Sequence, residues 1–397
     1  MDLKSSFCGI PLENPFLLAS APPTASIEMI DRAFKAGWAG VVTKTIKPDY
    51  MEIEDAKPRF HALKEGERVI GFENFELVSK QNLDYWEKGI RQLREKWPDK
   101  MIVVSIMGDS NEKSWADLAI WAEKTGAQAL ELNFSCPHGM PEKGVGAAIG
   151  QNKNITKLIT RWVSDSVSIP VIVKLTPNVT SVVEIAEAAK EGGADALAAI
   201  NTVESLSGVD LKTLTPYPVV QGFSTLGGYS GPAVKPIGLR VISQLARETD
   251  LPLSAMGGVS NWSDAMEYIS LGANHVQVCT EVMVSGFSII KKMISGTKEY
   301  MKEMGFNSLD DFRGAAVRKL TTHESLNKKS DLVPEIDTEA CTGCGKCVVA
   351  CRDGGYQAIH LLEKKASIEI DSCDGCALCT FVCPESALFF PVQVHSA

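Results

Sequence analysis

The chain has 397 residues, 45% hydrophobic and 22% charged, which suits a well-packed large domain with a smaller one beside it. A net charge of −9 with no long basic run argues against nucleic acid or an anionic membrane surface as a partner. No apolar stretch reaches the roughly 18 residues of a spanning helix, and Met1–Pro11 lacks the basic-then-apolar order of a secretory signal, so a cytoplasmic location is expected.

Short apolar runs alternate with amphipathic stretches along the first three quarters of the chain. Pro15–Ser20, Gly40–Thr45, Met101–Gly108, Ala129–Ser135, Val171–Pro177, Ala196–Thr202, Leu251–Gly258 and His275–Glu281 read as strands. Ile27–Ala36, Asn111–Thr125, Val182–Glu191 and Ile237–Glu248 read as helices between them. Apolar strands separated by helices imply a parallel sheet buried on both faces, and eight such units in about 300 residues predict a (β/α)8 TIM barrel. A doubly wound open sheet is the alternative. Ala36-Gly37, Gly126-Ala127, Gly193-Ala194 and Gly272-Ala273 fit helix ends that lead into the next strand.

Polar residues gather where these strands end: Ser20, Lys44, Thr45, Asn133, Ser135, Cys136, Lys174, Thr176, Asn201, Thr202, Gly257, Gly258 and Thr280. A buried strand without function needs no lysine or asparagine at its tip, and the C-terminal rim of such barrels carries the active site. Met256-Gly257-Gly258 after the seventh strand, and Cys279-Thr280 taken as part of the eighth, offer the amides and hydroxyl that a phosphate takes. Pro216–Pro218 and Gly227-Gly228 read as a mobile loop after the sixth strand, acting as a lid. Trp38, Trp86 and Trp115 read as core, and Cys8 as packing. Gly144-Val145-Gly146 with Gly150 has the wrong spacing for a dinucleotide fingerprint, so no NAD(P)H site is expected in this chain.

Eight of the 11 cysteines fall between Cys341 and Cys383. They form two runs, Cys341-x2-Cys344-x2-Cys347-x3-Cys351 and Cys373-x2-Cys376-x2-Cys379-x3-Cys383-Pro384. This is the spacing of a two-cluster ferredoxin, in which the fourth cysteine of each run crosses to the other cluster. One 4Fe–4S cluster is therefore expected on Cys341, Cys344, Cys347 and Cys383, and a second on Cys373, Cys376, Cys379 and Cys351. Zinc, the competing reading, uses Cys-x2-Cys pairs and has no need of three tandem cysteines twice. Arg352 follows Cys351 where proline is common, a position that shapes the turn and ligates nothing. The expected domains are a barrel over 1–305, a linker with a helix over 306–334, and a small α+β ferredoxin-like domain over 335–397.

Asn133-Phe134-Ser135-Cys136-Pro137-His138-Gly139-Met140, Lys174-Leu175-Thr176-Pro177-Asn178, Ala199-Ile200-Asn201-Thr202-Val203 and Tyr229-Ser230-Gly231 closely resemble the FMN barrel of the dihydropyrimidine dehydrogenase family, and the two-cluster module follows in the same order. The resemblance runs from about Phe7 to the C-terminus. It is to the bacterial form, whose FAD- and NAD(P)H-binding half is a separate subunit; class 1 dihydroorotate dehydrogenases share the barrel motifs more weakly. The resemblance implies FMN contacts at Ser20, Lys44, Thr45, Lys174, Gly231, Met256, Gly257, Gly258, Cys279 and Thr280. It implies pyrimidine contacts at Asn74, Asn133, Ser135, Asn201 and Thr202, an acidic pocket residue at Glu76, and a proton donor at Cys136. A partner flavoprotein subunit and an oligomeric assembly are expected with it.

The implied chemistry is hydride delivery from reduced FMN to C6 of a uracil ring and proton delivery to C5. A thiol with an ordinary pKa of about 8.5 is mostly protonated at neutral pH and can donate. Carboxamides offer both donor and acceptor to the alternating N–H and C=O groups of the ring, and Lys44 and Lys174 would stabilise negative charge on reduced flavin. Dihydroorotate chemistry and a non-catalytic electron relay are the alternatives. Glu76 is expected to repel an orotate carboxylate, and the rim set of Cys136 with three asparagines speaks against a mere relay.

Overall fold

The computed structural model describes residues 1–134, 147–328 and 332–391. Two compact units divide the chain, Met1–Leu320 and Thr321–Ala397.

The first unit is a closed barrel of eight parallel strands: β1 Phe16–Leu18, β2 Gly40–Val42, β3 Met101–Ile106, β4 Ala129–Asn133, β5 Val171–Leu175, β6 Ala196–Ala199, β7 Leu253–Ala255 and β8 His275–Val278. They pair in sequence order, and β8 closes on β1 through Val276↔Phe16 and Val278↔Leu18. Side chains alternate across each strand. One set, including Leu18, Val41, Ile102, Leu130 and Val173, packs outward against the helices. The other, including Leu17, Met101, Ile172 and Ala196, fills the barrel. The expected helices are all present; Ser26, Asn111 and Ser181 cap three of them by accepting a backbone N–H two or three residues into the helix. Trp38, Trp86 and Trp115 are fully buried. Strand eight ends at Val278, so Cys279 and Thr280 lie past it: Thr280 opens the short helix Thr280–Ser285.

An N-terminal hairpin, Ser5–Phe7 with Ile10–Leu12, turns on Cys8 and Gly9, both at positive φ (50° and 77°) as a two-residue turn requires. Its Phe7 and Leu12 pack against Leu17, Met101 and Ile172 and plug the barrel where the strands begin. At the other end stands a four-stranded sheet in the order Val203–Ser205, Gly227–Ser230, Arg68–Asn74, Phe60–Glu65. The expected mobile loop is thus corrected: Gly227 and Gly228 are buried in a strand, Gly227 paired with Ser205 and Gly228 with Glu204 and Asn74. Their lack of side chains is what allows it. A Cβ on Gly227 would lie 2.4 Å from Glu73 Cγ, and one on Gly228 would lie 2.2 Å from Thr202 Oγ1. Beyond the last barrel helix, Phe306 and Phe312 stack at 4.9 Å, and Gly314 and Ala316 donate backbone hydrogen bonds to Ile269 and Ser270. Residues 306–320, read from sequence as the start of a linker, pack on the barrel.

The second unit pairs Glu335–Ile336 with Leu388–Phe389 and Ile359–Leu362 with Lys365–Ile368, beside helices Lys346–Asp353 and Leu378–Val382. Three of its buried side chains are cysteines, Cys341, Cys347 and Cys379, with Ile359, Ala366 and Leu388 around them. Among the described residues, no helix is long and apolar enough to cross a membrane.

Candidate active site and cluster sites

The barrel rim opens into a cavity of about 1160 Å³, continuous with solvent. Every FMN and pyrimidine residue expected from the sequence lines it, except Ser135 and Cys136, which lie outside the described residues together with His138, Gly139 and Gly144-Val145-Gly146. The two described ends of that segment meet: Gly150 N–H donates to Phe134 O at 3.1 Å.

The asparagines are held in place by one another. Ser20 Oγ lies 3.2 Å from Thr45 Oγ1, which accepts from Asn133 Nδ2 at 2.9 Å; Asn133 Oδ1 accepts from Asn201 Nδ2 at 3.3 Å. Asn201 Oδ1 accepts the N–H of Thr202 at 2.8 Å. From the small sheet, Asn74 Nδ2 donates to Gly228 O at 2.7 Å and its Oδ1 accepts Glu76 N–H at 3.1 Å. Asn74 and Glu76 are therefore built into the pocket wall and are no solvated turn.

Lys44 and Lys174 are both buried at the rim, and each meets a carboxylate. Lys44 pairs with Glu76, which also pairs with Arg59; Lys174 Nζ lies 3.4 Å from Glu131 Oε1. The expectation that Glu76 repels an anionic substrate is corrected by this geometry. Two cations face the one carboxylate, leaving a net positive charge around it. Burial pushes the Cys279 thiol up to about 11 against the pull of Lys174 and Lys44, so it stays protonated at neutral pH.

Gly231, Gly257 and Gly258 adopt φ of +100°, +122° and +72°. Their backbones crowd: a Cβ on Gly231 would lie 2.8 Å from Gly71 Cα, and one on Gly258 would lie 3.0 Å from Gly231 O. Only glycine allows such bare backbone at the cavity, an arrangement suited to an anion. Beside it Thr280 Oγ1 donates to Ser230 Oγ at 3.0 Å. Bare amides, hydroxyls and two lysines within one apolar-walled cavity suit a flavin mononucleotide. Sequence reading missed Arg59, Phe60, Phe72, Ser230, Glu131 and Gln277. Glu131 was findable, since it lies two residues before Asn133 in an otherwise apolar strand and so shares its face. Arg59 was missed with the hairpin that delivers it to Glu76, Phe60–Glu65 turning directly into Arg68–Asn74, which the sequence reading did not identify.

In the second unit, Cys341, Cys344, Cys347 and Cys383 line one cavity, of about 290 Å³. Cys351, Cys373, Cys376 and Cys379 line another, of about 310 Å³. The fourth cysteine of each run is thus brought to the other run's cavity. Gly343 and Gly375, at φ +69° and +70°, allow the two equivalent Cys-x2-Cys turns. Among the described residues, no His, Cys, Asp or Glu side chains converge tightly enough to hold a single metal ion. Thiols ringing a cavity suit a larger inorganic cluster. Backbone N–H groups of Ala366, Ala358 and Ala387 point at the sulfurs of Cys341, Cys351 and Cys383 at 3.3–3.4 Å. Such donors favour the thiolate; those of Ala366 and Gly343 hold the Cys341 thiol below its usual range.

The sequence profile of the dihydroorotate dehydrogenase family matches residues 2–301, and that of the 4Fe–4S dicluster domain matches 334–389. The chain is 40% identical over 367 residues to the NAD-dependent dihydropyrimidine dehydrogenase subunit PreA of Escherichia coli (strain K12), covering 91% of this chain and 88% of that one. It is 39% identical over 340 residues to the chloroplastic dihydropyrimidine dehydrogenase (NADP(+)) of Arabidopsis thaliana, covering 83% and 80%. To the catalytic subunit of dihydroorotate dehydrogenase B (NAD(+)) of Pyrococcus abyssi it is 36% identical over 327 residues, covering 80% and 99%.

Proposed function

The chain belongs to the dihydroorotate dehydrogenase family, and on that premise we propose that it interconverts uracil or thymine with their 5,6-dihydro forms. It is a flavin- and iron–sulfur-dependent oxidoreductase of pyrimidines, with FMN in the barrel and two 4Fe–4S clusters in the C-terminal unit. FMN, when bound, exchanges a hydride with the substrate ring and single electrons with the clusters. A partner flavoprotein subunit carrying FAD and the NAD(P)H site supplies the reducing equivalents, in an oligomeric assembly. Eight clustered cysteines that would oxidise in an exporting compartment favour the cytoplasm.

The observation that carries the reading is the set Asn74, Asn133 and Asn201, oriented before any ligand arrives and gathered on a cavity flanked by Lys44 and Lys174. Carboxamides held this way present donors and acceptors to an uncharged cyclic imide without reorganisation, which is where binding energy becomes orientation. Thr45, backed by Ser20, fixes the Asn133 amide; Thr202 fixes that of Asn201. Thr280 and the glycine backbones at 231, 257 and 258 take the flavin phosphate. Cys136, three residues past Asn133, delivers the proton to C5. Cys341, Cys344, Cys347 and Cys383 hold one cluster, and Cys351, Cys373, Cys376 and Cys379 the other.

A second reading, oxidation of dihydroorotate, is favoured by one observation. With Arg59 and Lys44 on Glu76, the pocket carries the positive charge that an orotate carboxylate would seek. Turnover of the chain with its electron-donating partner on uracil, thymine and orotate decides between them. Reduction of uracil or thymine with no reaction of orotate is the expected result; preferential turnover of orotate overturns it.

A further inference from the structure

The barrel interior holds a line of polar side chains that ends at Lys174, one of the flavin residues, and whose other members neither the flavin nor the pyrimidine contacts use. At its head Lys174 on β5 lies 3.4 Å from Glu131 on β4. Gln277 on β8 donates from Nε2 to Glu131 Oε2 at 3.0 Å and to Ser254 Oγ on β7 at 2.8 Å. Ser254 Oγ lies 2.8 Å from His275 Nε2, and the imidazole meets the ring of Phe7, in the plugging hairpin, edge-on at 4.4 Å. All five polar side chains are buried, Glu131 and Ser254 completely. The line therefore runs from the plugged end of the barrel to the cavity rim, through a space that barrels usually fill with branched apolar residues.

Its donors diverge from Gln277, toward Glu131 on one side and Ser254 on the other. Gln277 uses both amide hydrogens, so Ser254 Oγ, already an acceptor, is free to donate to His275. The ring is uncharged at neutral pH, because burial and the nearby Arg313 hold its pKa at about 3. A carboxamide carries no mobile proton, so Gln277 interrupts any proton wire. What remains is a rigid scaffold for one carboxylate. Burying a carboxylate this deep is costly unless it is paired and hydrogen-bonded; Oε2 accepts from Gln277, and Oε1, which makes no hydrogen bond among the described residues, is offset by the Lys174 ammonium at 3.4 Å.

We infer that Glu131 is a positioning residue that sets the charge Lys174 presents to the flavin, and through it the flavin reduction potential. This rests on the FMN reading above. A lone buried ammonium beside the flavin would favour the reduced, more negative form strongly. A fixed carboxylate behind it offsets part of that field, and so keeps the reduced flavin a stronger hydride donor.

The test is a reductive titration of the FMN absorbance against reference dyes, in the full-length holoprotein and its variants. Glu131→Gln keeps an acceptor for Gln277 and removes the charge. It is expected to raise the reduced-to-oxidised flavin ratio at fixed potential about tenfold, or about 30 mV for a two-electron couple. Glu131→Asp, which keeps the charge but withdraws it from Lys174, gives a smaller rise and serves if the glutamine variant fails to fold. In a Lys174→Met background the Glu131→Gln shift is lost, since the two act through one contact. An unchanged or lowered potential, or a full shift without Lys174, overturns the inference while leaving the FMN reading intact. A wild-type chain that takes up no FMN overturns both.

Discussion

A thiol is the one uncharged side chain acidic enough to protonate a developing carbanion at neutral pH and still be mostly protonated beforehand, and Cys136 occupies the position where the motif calls for it. Cys136→Ala should retain FMN and pyrimidine binding and lose roughly 10²–10⁴-fold in turnover. Cys136→Ser should also be slow, since a hydroxyl is the weaker acid. Pyrimidine reduction should fall as pH rises through the thiol pKa, at about 8.5 for an ordinary cysteine. An alanine variant with near wild-type turnover would assign the proton to another group. His275 makes a prediction of a different kind. Its pKa of about 3 in the folded barrel lies below the ordinary 6.5. Between those values the unfolded chain binds the extra proton, so this residue's stability contribution is complete above about pH 6.5 and is lost as pH falls toward 3. The slope from this one site approaches about 1.4 kcal/mol per pH unit within the window. All 7 tryptophans lie before residue 321, so their fluorescence in urea titrations follows the barrel unit alone. His275→Gln should flatten the acid limb of that curve; an unchanged limb would assign it to carboxylates elsewhere.

The small sheet at the rim shows what sequence could and could not disclose. All eight barrel strands were legible because each is a short apolar run between helical patterns, and helices such as Ile27–Ala36 and Val182–Glu191 carry their own caps. Gly227-Gly228 reads as loop by composition, yet forms a strand because Glu73 and Thr202 occupy the space where side chains would go. That fact resides in residues more than 150 and about 25 positions away, respectively, and no local pattern encodes it. Asn74 and Glu76 were legible by motif; Arg59, their neighbour across the sheet, was not. Gly227→Ala tests the element. Glu73 is fully buried there, accepting Ser207 N–H at 2.5 Å, and a methyl 2.4 Å from its Cγ must push the strand away. Overpacking of this kind costs about 1–3 kcal/mol. Because it falls on the rim sheet and not on the barrel, the variant should keep its urea midpoint nearly unchanged but become cleavable by protease between Leu206 and Leu226, with weaker pyrimidine binding. A large drop in barrel stability with no new cleavage would show that the sheet and barrel unfold as one.

At the scale of the whole chain, the division of labour follows from what each unit can hold. The barrel has a cavity for a mononucleotide and a ring but no dinucleotide fingerprint in its sequence. The second unit has two cysteine-lined cavities and a small apolar core of its own, so metal binding and folding should be coupled in it. Without that dinucleotide fingerprint, electrons are expected to reach the FMN one at a time through the clusters. Anaerobically purified protein should therefore contain about eight iron and eight sulfide per chain. Its FMN should be reduced quickly by a reduced viologen and negligibly by NADH or NADPH until the partner subunit is added. Cys351→Ala and Cys383→Ala each remove the fourth thiolate from a different cavity, so each should degrade the spectroscopic signal of one cluster while sparing the other. If both variants damage the same cluster, the crossed ligation is wrong. Rapid flavin reduction by NADH in the isolated chain would mean that the rim cavity itself admits nicotinamide, and the need for a partner would fall with it.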